Sequence, residues 1–117
     1  MDEDQQFDVL LTEHGVAPLV RMEPTTMQIN LGKRCNQACR HCHVDAGPTR
    51  TEMMDSRTVN RVLELLQNSP SIDTVDLTGG APELHPAFEN IVRAARMHGR
   101  HVMDRCNLTV LLEDGQE

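Results

Sequence analysis

Three thiols crowd the segment CNQACRHCH: Cys35, Cys39 and Cys42, spaced CxxxCxxC, while the fourth cysteine, Cys106, lies far along the chain. The same spacing would mark one face of a helix, where a buried cysteine packs as a small apolar residue. The neighbours argue against that reading, because Lys33, Arg34, Asn36, Gln37, Arg40, His41 and His43 surround the thiols and only Ala38 extends an apolar face. Thiolate sulfur is a soft ligand suited to iron–sulfur clusters, copper or zinc. A structural zinc takes four donors in a tetrahedron, and His41, His43 or Cys106 is available to complete a set with the three thiols. Most such sites use two ligand pairs, however, and no second pair follows here. Three thiolates match a cube of four irons better, with one iron left open to coordinate a small chelating molecule and pass it an electron. Neither histidine is expected to bind metal. Lys33, Arg34 and Arg40 would offset the negative charge of a thiolate-bound cluster.

Composition narrows the partners. A net charge of −7, with a single lysine and scattered arginines, leaves no basic stripe to follow a phosphate backbone. With no Trp, no Tyr and only Phe7 and Phe88, there are no platforms for stacked bases, so nucleic acid is not an expected partner. The opening MDEDQQFDVL has neither the cationic start nor the apolar stretch of a signal peptide. No later segment approaches the roughly 20 apolar residues of a membrane span. A cytoplasmic protein is expected, in a reducing compartment where clustered cysteines hold metal or do chemistry rather than pair as disulfides.

The elements that must position the thiols read from the apolar pattern. At 117 residues the chain is long enough for one domain. Residues 1–26 read as a leader broken by Gly15, Pro18 and Pro24, within which FDVLLTEHG suits a short helix. The ordered part, 27–117, opens with MQINL as a strand that runs directly into the cysteine loop. After a turn at Gly47-Pro48, Asp55 or Ser56 caps a helix whose Val59, Val62, Leu63 and Leu66 share a face. SIDTVDLTGG supplies a second strand, and a second helix is predicted from Pro86, with Phe88, Ile91, Val92 and Ala95 on one stripe. HVMD is a third strand, and LTVLLEDGQE the start of a third helix. Strand, helix, strand, helix, strand implies an α/β fold with parallel pairing and right-handed crossovers. Three strands and two helices leave much of a parallel sheet uncovered, so the domain reads as the front part of a larger barrel or as one that needs a partner.

The turn LTGGAPELHP follows the second strand as the cysteine loop follows the first, and carboxyl ends of parallel strands share one edge, where such folds bind ligands. CNQACRHC with TGGAP downstream resembles the radical S-adenosylmethionine enzymes, which combine a CxxxCxΦC loop with a GGxP turn on a partial (βα)6 barrel. The resemblance implies that Cys35, Cys39 and Cys42 hold a four-iron four-sulfur cluster and that S-adenosylmethionine chelates the open iron. It further implies that His41 takes the Φ position beside the adenine, that Gly79, Gly80, Ala81 and Pro82 line the methionine end, and that reduction releases a 5′-deoxyadenosyl radical. An electron donor such as flavodoxin or ferredoxin is implied too. Two features depart from the pattern: Φ is commonly Tyr or Phe, and the acidic residue often third in the turn is Ala81 here, with Glu83 displaced beyond the proline. Backbone contacts of the turn are unaffected by the second change.

LGKRCNQACRHCHVDAGP, TEMMD, DLTGGAPEL and HVMDRCNLT together resemble the arsenosugar-biosynthesis radical S-adenosylmethionine proteins over residues 27–117. That likeness implies a small-molecule substrate, a methylated arsenical joined to the deoxyadenosyl group, and an amino-terminal fragment of a longer protein. Asp104, Arg105, Cys106 and Asn107, at the end of the third strand, are expected to point into the same cavity. A non-catalytic zinc-binding module using the same cysteines is the competing expectation.

Overall fold

A computed structural model describes residues 2–42 and 45–116; His43 lies outside them. The first helix, α1 (Glu3–Glu13), is started by a capping box in which the Asp2 carboxylate accepts from the Gln5 amide at 2.8 Å, and none of its residues is buried. Strand β1 (Thr26–Asn30) then leads into the cysteine loop. Helix α2 (Ser56–Gln67) begins where Asp55 accepts from the Thr58 amide at 2.7 Å, and its Val59 and Leu66 are buried while Val62 and Leu63 flank them. Strand β2 (Thr74–Thr78), helix α3 (Phe88–Met97) and strand β3 (His101–Asp104) complete the order expected from the apolar periodicity. The strands form one parallel sheet, β1-β2-β3, so the α/β class and the partial-barrel pattern hold.

Two sequence expectations are corrected. Pro86 stands in the turn before α3, whose cap is Ala87, rather than in its first helical position. The chain enters α3 through a short 3-10 turn at Pro82–Leu84, and His85 fixes the approach by donating from Nε2 to the Met54 carbonyl at 2.7 Å while Nδ1 accepts from the Ala87 amide at 3.0 Å. The expected third helix is only a 3-10 turn, Thr109–Leu112. Its entry is set by Leu108 at φ 66°, and by the Asn107 carbonyl oxygen Oδ1 accepting from the Val110 amide at 3.0 Å. The turn ends where Glu113 adopts extended backbone, φ −72° and ψ 148°.

Alternation within the strands divides the sheet. Ile29 of β1 and Val75 and Leu77 of β2 face the helices, and with Leu31, Val59, Leu66, Ile72, Ile91 and Ala95 they make the main core. The opposite face carries Gln28, Asp76 and Met103 in register across the three strands. Asp76 is buried there. Its carboxylate accepts from Arg105 Nε at 3.0 Å and Nη2 at 2.8 Å and from Gln28 Nε2 at 3.2 Å. The arginine hydrogen bonds hold the Asp76 carboxyl below its ordinary value of 3.8. The unfolded chain therefore takes up this proton first as pH falls, so the pair stabilises the fold above pH 3.8 and its contribution is lost below that value. Melting temperature against pH is expected to fall on acidification, and Asp76→Asn to make that acid limb shallower.

Arg100 is the other buried polar group that ties elements together. Its guanidinium donates to the carbonyls of Ile72 at 2.9 Å, Leu66 at 2.7 Å and Ser69 at 3.1 Å, closing the end of α2 onto the start of β2. Leu66 and Ser69 lie at the end of α2, where carbonyls run out of intrahelical partners, and Ile72 lies in the segment leading to β2.

Candidate metal centre

The cysteine loop hangs from a pinned stem. Gly47 donates to the Lys33 carbonyl at 3.0 Å and its own carbonyl accepts from the Cys35 amide at 3.1 Å, so Cys35 through Ala46 form a closed excursion beyond β1. A second clamp, from the Lys33 amide to the Glu52 carbonyl at 2.9 Å, fixes the stem against the segment leading to α2. Within the loop Cys35 is buried, Cys42 half-buried and Cys39 exposed. The Cys42 amide donates to the Cys39 carbonyl at 3.2 Å, and the Ala46 amide approaches Cys42 Sγ at 3.4 Å. All three thiols border one cavity of about 180 Å³, together with Gln37, His41, Ala46, Gly80 and Asn107.

The glycine turn reaches that cavity through backbone packing. Gly79 has φ 141°, a conformation that favours glycine, and a Cβ there would lie 2.7 Å from the Gly32 carbonyl oxygen. At Gly80 a Cβ would lie 2.3 Å from the Arg34 carbonyl oxygen. The amides of Gly80 and Ala81 donate to the carbonyls of Gly32 at 2.9 Å and Arg34 at 2.8 Å. Those two amides are spent on the stem, so a ligand amino group meeting this turn would have to find its carbonyl oxygens. Of the four turn residues, Gly80 borders the cysteine cavity, whereas Ala81 and Pro82 border a smaller pocket with Leu31, Glu52 and His85.

The end of β3 divides its residues between three places. Asn107 borders the cysteine cavity, and its Nδ2 donates to Asn36 Oδ1 at 2.8 Å and approaches Cys35 Sγ at 3.2 Å. Arg105 does not face that cavity, because its guanidinium is drawn to Asp76 on the sheet. Asp104 and Cys106 gather with Glu83, their ligating atoms all within 4.8 Å of one another. Burial, then the Glu83 carboxyl beside it, pushes the Asp104 carboxyl up to about 7, and the same two causes raise the Cys106 thiol. Sequence reasoning did not anticipate a buried Glu83. The signal was present in the sheet register, since Leu77 pairs with Asp104 and so brings the turn after β2 beside the residues after β3.

These residues fit a thiolate-bound cluster. Three soft donors border one hollow together with Gly80. Among the described residues the three sulfurs are not gathered within 4.8 Å of one another. A single tetrahedral zinc with bonds of about 2.3 Å would require closer sulfurs, whereas a multi-iron cluster binds each sulfur to a different iron. Cys106, weighed above as a fourth zinc ligand, stands with two carboxylates instead.

Comparison with known proteins agrees with this chemistry. The family model described as the radical SAM superfamily matches residues 29–115. Molybdenum cofactor biosynthesis protein 1 of Mus musculus is 33% identical over 85 residues, 71% of this chain and 13% of that protein. GTP 3′,8-cyclase of Chlorobaculum tepidum is 30% identical over 70 residues, 60% of this chain and 21% of that protein. The Streptomyces coelicolor protein of the same name is 29% identical over 83 residues, 68% of this chain and 24% of its own length. The chain thus spans about a quarter or less of the length of these relatives.

Proposed function

This chain belongs to the radical S-adenosylmethionine superfamily, and from that premise we propose that Cys35, Cys39 and Cys42 ligate a four-iron four-sulfur cluster in an enzyme that starts radical chemistry on S-adenosylmethionine. Members of the superfamily use that cluster and that cofactor. When bound, the cluster supplies an electron to the sulfonium of S-adenosylmethionine, whose cleavage gives methionine and a 5′-deoxyadenosyl radical. The single observation that supports the reading is the shared cavity, bordered by all three thiols, by His41 and by Gly80.

Each residue has a part in that reading. The pinned stem holds Cys35 beside Asn107, whose Nδ2 approaches the sulfur at 3.2 Å and orients it. Cys39 and Cys42 close the ligand set from the outer arm of the loop. His41, exposed at the cavity rim, offers a flat ring to the adenine in place of the commoner Tyr or Phe. Of Gly79, Gly80, Ala81 and Pro82, it is Gly80, at the cysteine cavity, that offers a backbone carbonyl to the amino end of the cofactor, and the other three shape the turn that carries it.

For the substrate, the motif likeness supports a methylated arsenical that accepts the deoxyadenosyl group, as in arsenosugar biosynthesis. The relatives' names refer to molybdenum cofactor and GTP cyclisation, and the likeness to them covers the cofactor-binding segment. We assign residues 1–26 as a leader and 27–117 as the amino-terminal portion of the core, working in the cytoplasm with flavodoxin or ferredoxin as reductant. Among the described residues no helix is long and apolar enough to cross a membrane.

The test is anaerobic reconstitution with iron and sulfide, followed by electron paramagnetic resonance of the reduced protein with and without S-adenosylmethionine. A cluster signal that changes when the cofactor is added is expected, and 5′-deoxyadenosine should accumulate. An unchanged signal, or colourless protein holding zinc on the loop thiols, would reject the proposal. Supplying a methylated arsenical or GTP then separates the substrate readings by which one consumes cofactor in a coupled product.

A further inference from the structure

Glu83 raises a problem of charge and hydrogen bonding. Its residue exposure is 9%, and both carboxylate oxygens are buried without a hydrogen-bond partner among the described residues. A buried carboxylate ordinarily finds a donor or a counter-charge, because leaving water without either is costly. What faces Glu83 is two more acidic groups, the Asp104 carboxyl and the Cys106 thiol, all within 4.8 Å, and neither brings a positive charge. The arginine between Asp104 and Cys106, Arg105, is committed to Asp76. The Leu108 amide donates to Cys106 Sγ at 3.2 Å, so it is spent on the sulfur and leaves the carboxylates unserved.

We propose that Glu83, Asp104 and Cys106 form a second, mononuclear site for a borderline divalent cation of the zinc class, separate from the cysteine loop. The donor set is two hard oxygens and one soft sulfur, which suits zinc or cobalt(II) and not calcium or magnesium, whose ligands are all oxygen. Three protein donors leave one tetrahedral position open. Glu83 and Asp104 also border an open cleft of about 690 Å³, so the cation has a path from solvent. Binding forms bonds to two carboxylate oxygens and the sulfur and releases the Cys106 thiol proton to solvent, with no change of oxidation state. The three ligands come from the turn after β2 and the end of β3, so occupancy would lock those two connections together at the edge where the cysteine cavity also lies.

The probe is cobalt(II), because a thiolate ligand gives it a charge-transfer band that oxygen ligands do not. In the full chain carrying Cys35→Ala, Cys39→Ala and Cys42→Ala, a single equivalent of cobalt is expected to produce this band. Cys106→Ser in that background should abolish it, and Glu83→Gln should weaken binding by at least about tenfold. A cation that binds only the folded chain should also raise the melting temperature, by an increment that grows with the logarithm of its concentration once that exceeds Kd. Should the triple variant fail to fold, the same comparison is read between the wild-type chain and Cys106→Ser, both first loaded with iron and sulfide. Absence of the band, or a band that survives Cys106→Ser, would overturn the site. A higher melting temperature in Glu83→Gln with no cobalt binding by the parent would assign the cluster to a shared proton and overturn it equally. The triple-variant reading does not depend on the iron–sulfur proposal, since the loop thiols are removed, and in the fallback the Cys106→Ser difference separates a band at this site from one on the loop.

Discussion

Cys39→Ser is expected to leave a folded chain that fails to retain the cluster and makes no 5′-deoxyadenosine above background after anaerobic reconstitution. Cys39 is the exposed member of the three, so its replacement removes no buried packing. Its amide and carbonyl keep their places in the loop, because the Cys42 amide to Cys39 carbonyl bond at 3.2 Å involves backbone only. What changes is the donor: a hydroxyl oxygen is hard and remains protonated near neutral pH, whereas the thiolate is soft and matched to iron–sulfur chemistry. Iron and sulfide content and visible absorbance measure the loss, and circular dichroism verifies the fold. Wild-type cluster content in Cys39→Ser would remove that residue from the ligand set. Cys35→Ser is a less clean test, because Cys35 is buried and contacts the core beside Ala46, Ala81 and Val110.

Gly80→Ala is expected to be severely disruptive, at a cost of about 3 kcal/mol or more. The added Cβ would fall 2.3 Å from the Arg34 carbonyl oxygen, 2.7 Å from the Arg34 carbonyl carbon and 2.9 Å from that of Lys33. All three are backbone atoms, so no side chain can swing away. Separating the two chains would stretch the bonds from Gly80 to Gly32 and from Ala81 to Arg34, which together hold the glycine turn against the root of the cysteine loop. The variant should lose cluster occupancy as well as stability. Gly99→Ala is the control: that glycine has φ 75° with nothing within 4 Å of a Cβ, so only the conformational strain of about 1–2 kcal/mol is expected. Urea unfolding of the two variants orders them. Equal losses would mean that the close approach of turn and stem does not exist.

What was legible along the chain was whatever depends on near neighbours. The stripe Val59, Val62, Leu63 and Leu66 announced α2, the alternation around Ile29 and Leu77 announced strands, and CxxxCxxC announced a soft-metal loop. Where a local signal competed with a tertiary one, the reading failed. Pro86 suited a helix start, but His85 anchored the approach to Met54 and moved the cap to Ala87. LTVLLEDGQE suited a helix, but the chain turns to extended backbone at Glu113 and leaves only a 3-10 turn.

The sequence by itself determined the donor chemistry, the order of elements and hence the parallel sheet, because residue type and period act over a few positions. Only the tertiary structure decided that Arg105 turns to Asp76, that Gly80 serves a backbone contact with Arg34, and that Glu83 meets Asp104 and Cys106 out of reach of a counter-charge. Those relations join residues of different connections, and their distances are set by strand register and helix packing. A spacing along the chain cannot express them.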